Sequence, residues 1–429
     1  MHFVVAGLSL LAGGSLMLFE GAVILESHWR PQTLTLVHLG TLGFLGSVMV
    51  GALYQMIPVL AGRAVPLVRS SWLWLLLLVC GLVTLLLAAK ELPPGYFVSF
   101  SFLTAALFAC VLLFGWALLR SRAQGPSVIG LRFAIFALFL TLMAGAWMSH
   151  GFGPYAFPGD RGAWIQGHLS IAWIGWIGCL ITAVSWQVVP MFYLAPEPSR
   201  RSQWLTLVGI MLGALLPFLA LMAGKAGFLV LPQMRSLAFY GSIPGLLALG
   251  VFHPWLCLRT LRARRRRRVD VSFVFWRFGL LIAPLSVVVA LLTWFGVPRC
   301  ELLLGWLVLF AWAGGIVHGM LARIIPFLFW FHRCSPLVGR VMVPTLRQLL
   351  PDAHVRRGFW LHLATSLLGA MAWIWPIDLL AWATGLGVFA VGLTLLSYVL
   401  RCHRVPIPEA PPSDVSFGQA FPPQAPLSS

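Results

Sequence analysis

The sequence predicts an all-α integral membrane protein: twelve transmembrane helices in three pseudo-threefold four-helix units, with both termini cytoplasmic. Three observations predict it. Sixty per cent of the 429 residues are hydrophobic and only nine per cent are charged, more apolar surface than a soluble single-core domain can hide. Apolar runs of about 20 residues, the length that crosses a bilayer core, recur between short clusters of Arg, Pro and Gly. The basic residues collect on one side of those runs.

Taken in order, the expected spans are residues 3–25, 33–60, 71–89, 97–120, 132–153, 164–193, 203–224, 235–260, 273–297, 302–331, 358–375 and 378–400. The first lacks a basic n-region and a small-residue cleavage site, and its run is too long for a signal peptide, so it reads as a retained helix. With the N-terminus inside, 21 of the 29 basic residues fall in cytoplasmic loops, among them Arg63, Arg69, Arg120, Arg200, Arg333 and Arg404. The outer loops hold Arg30, Lys90, Arg161, Lys225, Arg235 and Arg299, while Arg277 and Arg323 lie within helices. This positive-inside bias supports an even number of helices in a bacterial-type inner membrane.

The net charge of +18 therefore follows the lipid bilayer, and no nucleic-acid partner is expected. The run RARRRRR at 262–268 reads as a stop-transfer signal and a clamp for anionic lipid. Seven scattered cysteines form no CxxC pair, which excludes a zinc knuckle or a disulfide framework and leaves them as packing residues. The Pro-rich polar stretch 405–429 reads as a disordered cytoplasmic tail after a transmembrane domain spanning 1–404.

An internal repeat runs through the spans. The second reads HLGTLGFLGSVMVGALYQMIPVL and the sixth HLSIAWIGWIGCLITAVSWQVVPMF, each opening on His-Leu and closing on Gln-x-x-Pro. The matches are His38 with His168, Gln55 with Gln187 and Pro58 with Pro190; in the tenth span, Arg323 and Pro326 take the Gln and Pro places. The prolines are 132 and 136 residues apart, which divides the chain into units 1–130, 131–270 and 271–404 with spans 2, 6 and 10 innermost. Gly40, Gly43, Gly46 and Gly51, with Gly175 and Gly178, permit close approach of a neighbouring backbone or of a flat cofactor.

Ionisable groups inside the membrane are costly enough to be functional candidates. Glu20, His38, His150 and His168 sit on four separate helices, all within roughly 10 Å of the outer apolar boundary at 1.5 Å rise per residue. Imidazoles facing one another across rigid helices suit a metal or a haem iron, so His38, His168 and His150 are the candidate ligands, with haem or copper as the cofactor. Met148 adds a thioether nearby, although two residues from His150 it faces another way. Glu20 is expected to orient an imidazole or accept a proton. His318 is a further cofactor-binding candidate that lies deeper than this layer; His253, His332 and His362 read as residues of the cytoplasmic interface. Gln55, Gln187 and Arg323 are expected in support, lining an inner polar vestibule or snorkelling.

On these motifs the chain resembles the catalytic subunit I of the haem–copper oxidase superfamily, which includes the nitric oxide reductases. The resemblance implies twelve helices in three arcs, a haem-ligating His38 near the outer end of helix 2 and a copper-ligating His168 near the outer end of helix 6. It departs after helix 6, where the family's His-His pair is absent, and in helix 10, where a lone His318 replaces His-x-His. The resemblance therefore implies electron transfer, or handling of nitric oxide or copper with a periplasmic or membrane redox partner, without a complete oxygen-reducing centre. Two rival classes remain: a cofactor-free permease using the Gln-x-x-Pro bends and an outer histidine relay, and a non-catalytic accessory subunit.

Overall fold

The computed structural model describes residues 1–92, 95–152, 160–265 and 271–407. Among these the chain is all-helical, with no strand. Among the described residues eleven helices are long and apolar enough to cross a membrane: α1 (His2–Leu25), α2 (Pro31–Ala61), α3 (Val68–Ala89), α4 (Gly95–Leu119), α5 (Pro126–Ser149), α6 (Arg161–Tyr193), α7 (Arg200–Lys225), α8 (Leu231–Arg262), α9 (Ser272–Trp294), α10 (Cys300–Leu337) and, after one more long helix, α12 (Asp378–Arg404). Each coincides with an expected span. The intervening α11 (Asp352–Ile374) is a long helix too, but Asp352, His354, Arg356 and Arg357 in its first two turns and His362 in its middle make it more polar than the rest. Arg266, Arg267, Arg268 and the tail from 408 onward lie outside the described residues.

The ends of these helices are tied by polar groups that satisfy terminal backbone atoms. Arg299 donates from Nε to the Trp373 carbonyl and from an Nη to the Leu25 carbonyl, both at 2.7 Å, and so joins the C-terminal ends of α1 and α11. The Asp378 carboxylate accepts from the Ala22 backbone N–H at 2.7 Å. At the other face Arg132 donates to the carbonyls of Leu118 and Ser121, at 3.0 and 2.7 Å, closing the C-terminal end of α4.

Helices pack chiefly on their sequence neighbours, and the last of them, α12, lies along α1 in the most extensive helix pairing of the described residues. The fold is therefore a closed ring. Contacts pass from α4 to α5, from α8 to α9 and from α12 back to α1, the same step at four-helix intervals. Glycines make the α1–α12 seam possible: Gly7 and Gly14 face Gly392 and Gly385, with backbone against backbone.

Helices α2, α6 and α10 share one build. Each contains a π-helical segment, Leu39–Gly46, Ser170–Gly178 and Leu307–Gly314 respectively. A 15-residue α-helix follows in every case, Ser47–Ala61, Cys179–Tyr193 and Gly315–Phe329, with Pro58, Pro190 and Pro326 at the same place in it. The wider π winding supplies the slack that a close crossing needs. The π segments of α2 and α10 meet, Gly40 against the Leu309 side chain and Phe44 against Gly314.

Candidate functional site

His38 is the last residue of the first α-helical stretch of α2 and His168 the last but one of the first stretch of α6, Arg161–Leu169, ahead of their π segments. The α6 stretch is begun by Asp160, whose carboxylate accepts from the backbone N–H groups of Gly162 and Ala163. His38 Nδ1 lies 2.8 Å from the Leu34 carbonyl, an acceptor only, so Nδ1 carries the proton and Nε2 presents its lone pair. His38 packs edge-on against Phe100 of α4, ring centroids 5.0 Å apart. The His168 ring covers Gly145 of α5, where a Cβ would stand 3.3 Å from it. Its Nδ1 is buried and meets no hydrogen-bond geometry, although the Thr141 backbone lies near the ring.

Aromatic rings lie beside His38 and His150. His150 is exposed just beyond α5, its Nδ1 3.1 Å from the Ala146 carbonyl, and its ring neighbours are Phe97 at 5.7 Å and Trp147 at 5.8 Å. Phe97 and Phe100 lie one turn apart on α4, so His150 and His38 border the same aromatic ridge. Trp147 in turn meets Trp164 of α6 at 6.0 Å.

Other expected members of the site sit elsewhere. Glu20 forms an ion pair with Lys90 rather than bonding an imidazole, because the outer ends of α1 and α3 bring the two side chains together. Gln55 is exposed and Gln187 half-buried at the opposite ends of α2 and α6. Arg323 donates from Nε to Ser272 Oγ at 3.2 Å, with its guanidinium over Phe192 at 4.7 Å and Tyr193 at 5.7 Å, which ties α10 to α6 and α9. The glycine faces are filled by protein: Gly40 meets Leu309, Gly43 meets Ser9, Gly51 meets His2 and Phe3, Gly175 meets Ala137 and Ala214, and Gly178 meets Leu249.

His318 belongs to a second, deeper cluster. Its Nδ1 is 3.4 Å from His362 Nδ1 and its Nε2 3.2 Å from the Tyr398 hydroxyl; all three side chains are fully buried. The expectation that His253 and His362 are interface residues is corrected here. Both are 0% exposed, because α8 and α11 turn those faces into the bundle. His362 and Tyr398 were missed as site residues for the same reason: their spacing from a helix end says nothing of the side on which they project. The signal available was the cost of a mid-span histidine in a helix otherwise apolar from Gly358 onward.

Among the described residues no three His, Cys, Asp or Glu side chains converge as a metal-binding group. No protein-family model matches the chain, and no curated protein matches it by sequence.

Proposed function

We propose that the chain is a twelve-span inner-membrane protein, both termini inside, built as three four-helix units and holding a redox metal at its outer layer through His38 and His168. The single observation that carries the reading is the pair itself. The two histidines occupy matching places on α2 and α6 ahead of matching π segments, and each has a ring nitrogen for which no hydrogen bond to a described residue is formed. The equal build of α2, α6 and α10 and the recurring inter-unit contacts support the threefold division. Counting α11 as a span gives the even helix number that the positive-inside bias requires.

Two imidazoles suit a small ion. Glycine faces already filled by Leu309, Ser9, Ala137 and Leu249 leave little room there for a macrocycle, so the donor set favours copper over haem. Bound there, the metal would supply one-electron chemistry suited to electron transfer or to handling nitric oxide or copper, with a donor from the periplasm or the membrane. The chain's own contribution is orientation. The Leu34 carbonyl holds the His38 ring in one tautomer, Phe100 braces its edge, and Gly145 leaves the space in which the His168 ring lies.

The test is metal analysis with oxidised and reduced optical spectra on the detergent-purified protein and on His38→Ala and His168→Ala. Near-stoichiometric copper in the wild type, lost in both variants at unchanged elution volume, is the expected result, and a Soret band lost in both variants would replace copper by haem at the same two histidines. A colourless, metal-free wild type sinks the reading and returns the choice to a permease or an accessory subunit.

A further inference from the structure

The deep cluster has a determined direction. The Phe310 carbonyl can only accept, and His362 Nε2 lies 3.1 Å from it, so that nitrogen carries a proton. His362 Nδ1 is then the acceptor toward His318, which must donate from its own Nδ1 across 3.4 Å. His318 Nε2 is left to accept, so the Tyr398 hydroxyl donates to it at 3.2 Å. Every donor points the same way, from Tyr398 through His318 and His362 to a carbonyl in the π segment of α10.

The starting end is turned to the inner face. Tyr398 lies in the second turn from the end of α12, and its ring is 5.6 Å from that of His354, two residues into α11. His354 is partly exposed and its Nε2 bonds Ser397 Oγ at 2.8 Å. Gly358 leaves the space that the Tyr398 hydroxyl takes, since a Cβ there would stand 2.4 Å from it.

The far end is walled by aromatic rings. The His362 imidazole lies flat on the Phe310 ring, centroids 4.5 Å apart and planes 8° apart, with Trp306 stacked on Phe310 in the same way at 4.5 Å. Phe275 and Phe278 of α9 stand steeply inclined to it at 6.1 and 6.2 Å. Such ring faces attract a positive charge most where water is absent.

We infer that Tyr398, His318 and His362 form a proton-uptake relay from the inner face that stores one proton on His362. In the uptake step the Tyr398 oxygen receives a proton from the side of His354 while its own proton passes to His318 Nε2. His318 then gives its Nδ1 proton to His362 Nδ1. The product is a doubly protonated His362, still donating to the Phe310 carbonyl, and a neutral His318 that now donates from Nε2 back to Tyr398. One proton enters, only O–H and N–H bonds change, and no electron moves. Besides the relay itself, the acidic and basic side chains of the surrounding helices are Arg277 on α9, Glu301, Arg323, His332 and Arg333 on α10, Asp352, His354, Arg356 and Arg357 on α11, and Asp378, Arg401, His403 and Arg404 on α12; among the described residues no carboxylate bonds either imidazole. The relay does not depend on the outer metal.

The test uses the full chain in proteoliposomes adsorbed on a capacitive sensor, with the inner-face solution stepped from about pH 7.5 to about pH 6. The wild type is expected to give a transient charge displacement, Tyr398→Phe one slowed at least roughly tenfold, and His362→Gln none. His253→Gln, which alters another fully buried histidine bonded to Ser185 at 2.9 Å, is expected to behave as wild type. Equal transients in folded Tyr398→Phe, His362→Gln and wild type, or none in wild type, overturn the proposal. So does metal that survives in a His38→Ala/His168→Ala protein and leaves with His362→Gln. Should those variants fail to fold, nitrogen NMR of labelled histidines in the wild type decides instead: a buried imidazole that gains a second N–H proton on acidification supports the store, and none doing so refutes it.

Discussion

Replacing Gly14 with alanine should loosen the seam on which the ring closes. A Cβ at Gly14 would stand 2.5 Å from the Phe389 backbone nitrogen and 2.6 Å from the Gly385 carbonyl oxygen. Ordinary contact begins near 3.4 Å, so α1 and α12 must part locally by about 1 Å, because backbone atoms inside a helix cannot swing aside. A gap of that size forfeits a quarter to a half of the dispersion attraction of each contact across the seam, and overpacking of this kind costs about 1–3 kcal/mol. Gly7 provides the internal comparison. Its nearest obstruction is the Leu396 side chain at 2.8 Å, which can change rotamer, while the backbone oxygen of Gly392 stays at 3.3 Å. Gly7→Ala is therefore expected to cost less than half as much. The assay is denaturant or thermal unfolding of both variants in one detergent, followed by intrinsic Trp fluorescence. Equal losses in the two variants, or a Gly14→Ala protein as stable as wild type, would refute the claim that backbone contact across α1 and α12 closes the ring.

Arg299→Ala leaves the Leu25 and Trp373 carbonyls without their donor and should cost about 1–3 kcal/mol, with faster amide exchange confined to the outer ends of α1 and α11; uniform exchange would count against the clamp. Arg323→Met removes a bond to Ser272 but leaves the Tyr193–Ser272 contact of 2.9 Å in place, so a loss of about 1 kcal/mol is expected by the same unfolding assay, and a neutral variant would show that the guanidinium only snorkels. Burial, and then the charges of Arg401 and Arg357, push the His354 imidazole below its ordinary range. The unfolded chain thus takes up that proton first, so His354 lets stability fall as pH drops below about 6.5. Melting temperatures of wild type and His354→Asn should converge or cross on acidification, and curves that stay parallel would exclude the linkage.

The spans were legible in the sequence because the requirement that sets them is local. A backbone in hydrocarbon must satisfy its own polar groups, so each apolar run between charged clusters has to be a helix, and eleven expected spans are helices of that kind. The likeness of α2 and α6 was legible through His-Leu and Gln-x-x-Pro, and that of α10 only through Arg323 and Pro326, while the π segments that complete it leave no such motif. Partners across helices were not legible, since they depend on how each rod is rotated about its axis, which packing of all twelve decides together. Glu20 has Lys90 within reach from α3 and pairs with it, where depth alone placed it beside an imidazole. His38 and His168 share a motif, and only the tertiary structure adds that one ring packs on Phe100 and the other lies over Gly145. His318, His362 and Tyr398 come from three helices and meet because α10, α11 and α12 turn those faces inward, a rotation that the shallow polarity differences around nearly uniformly apolar helices do not encode.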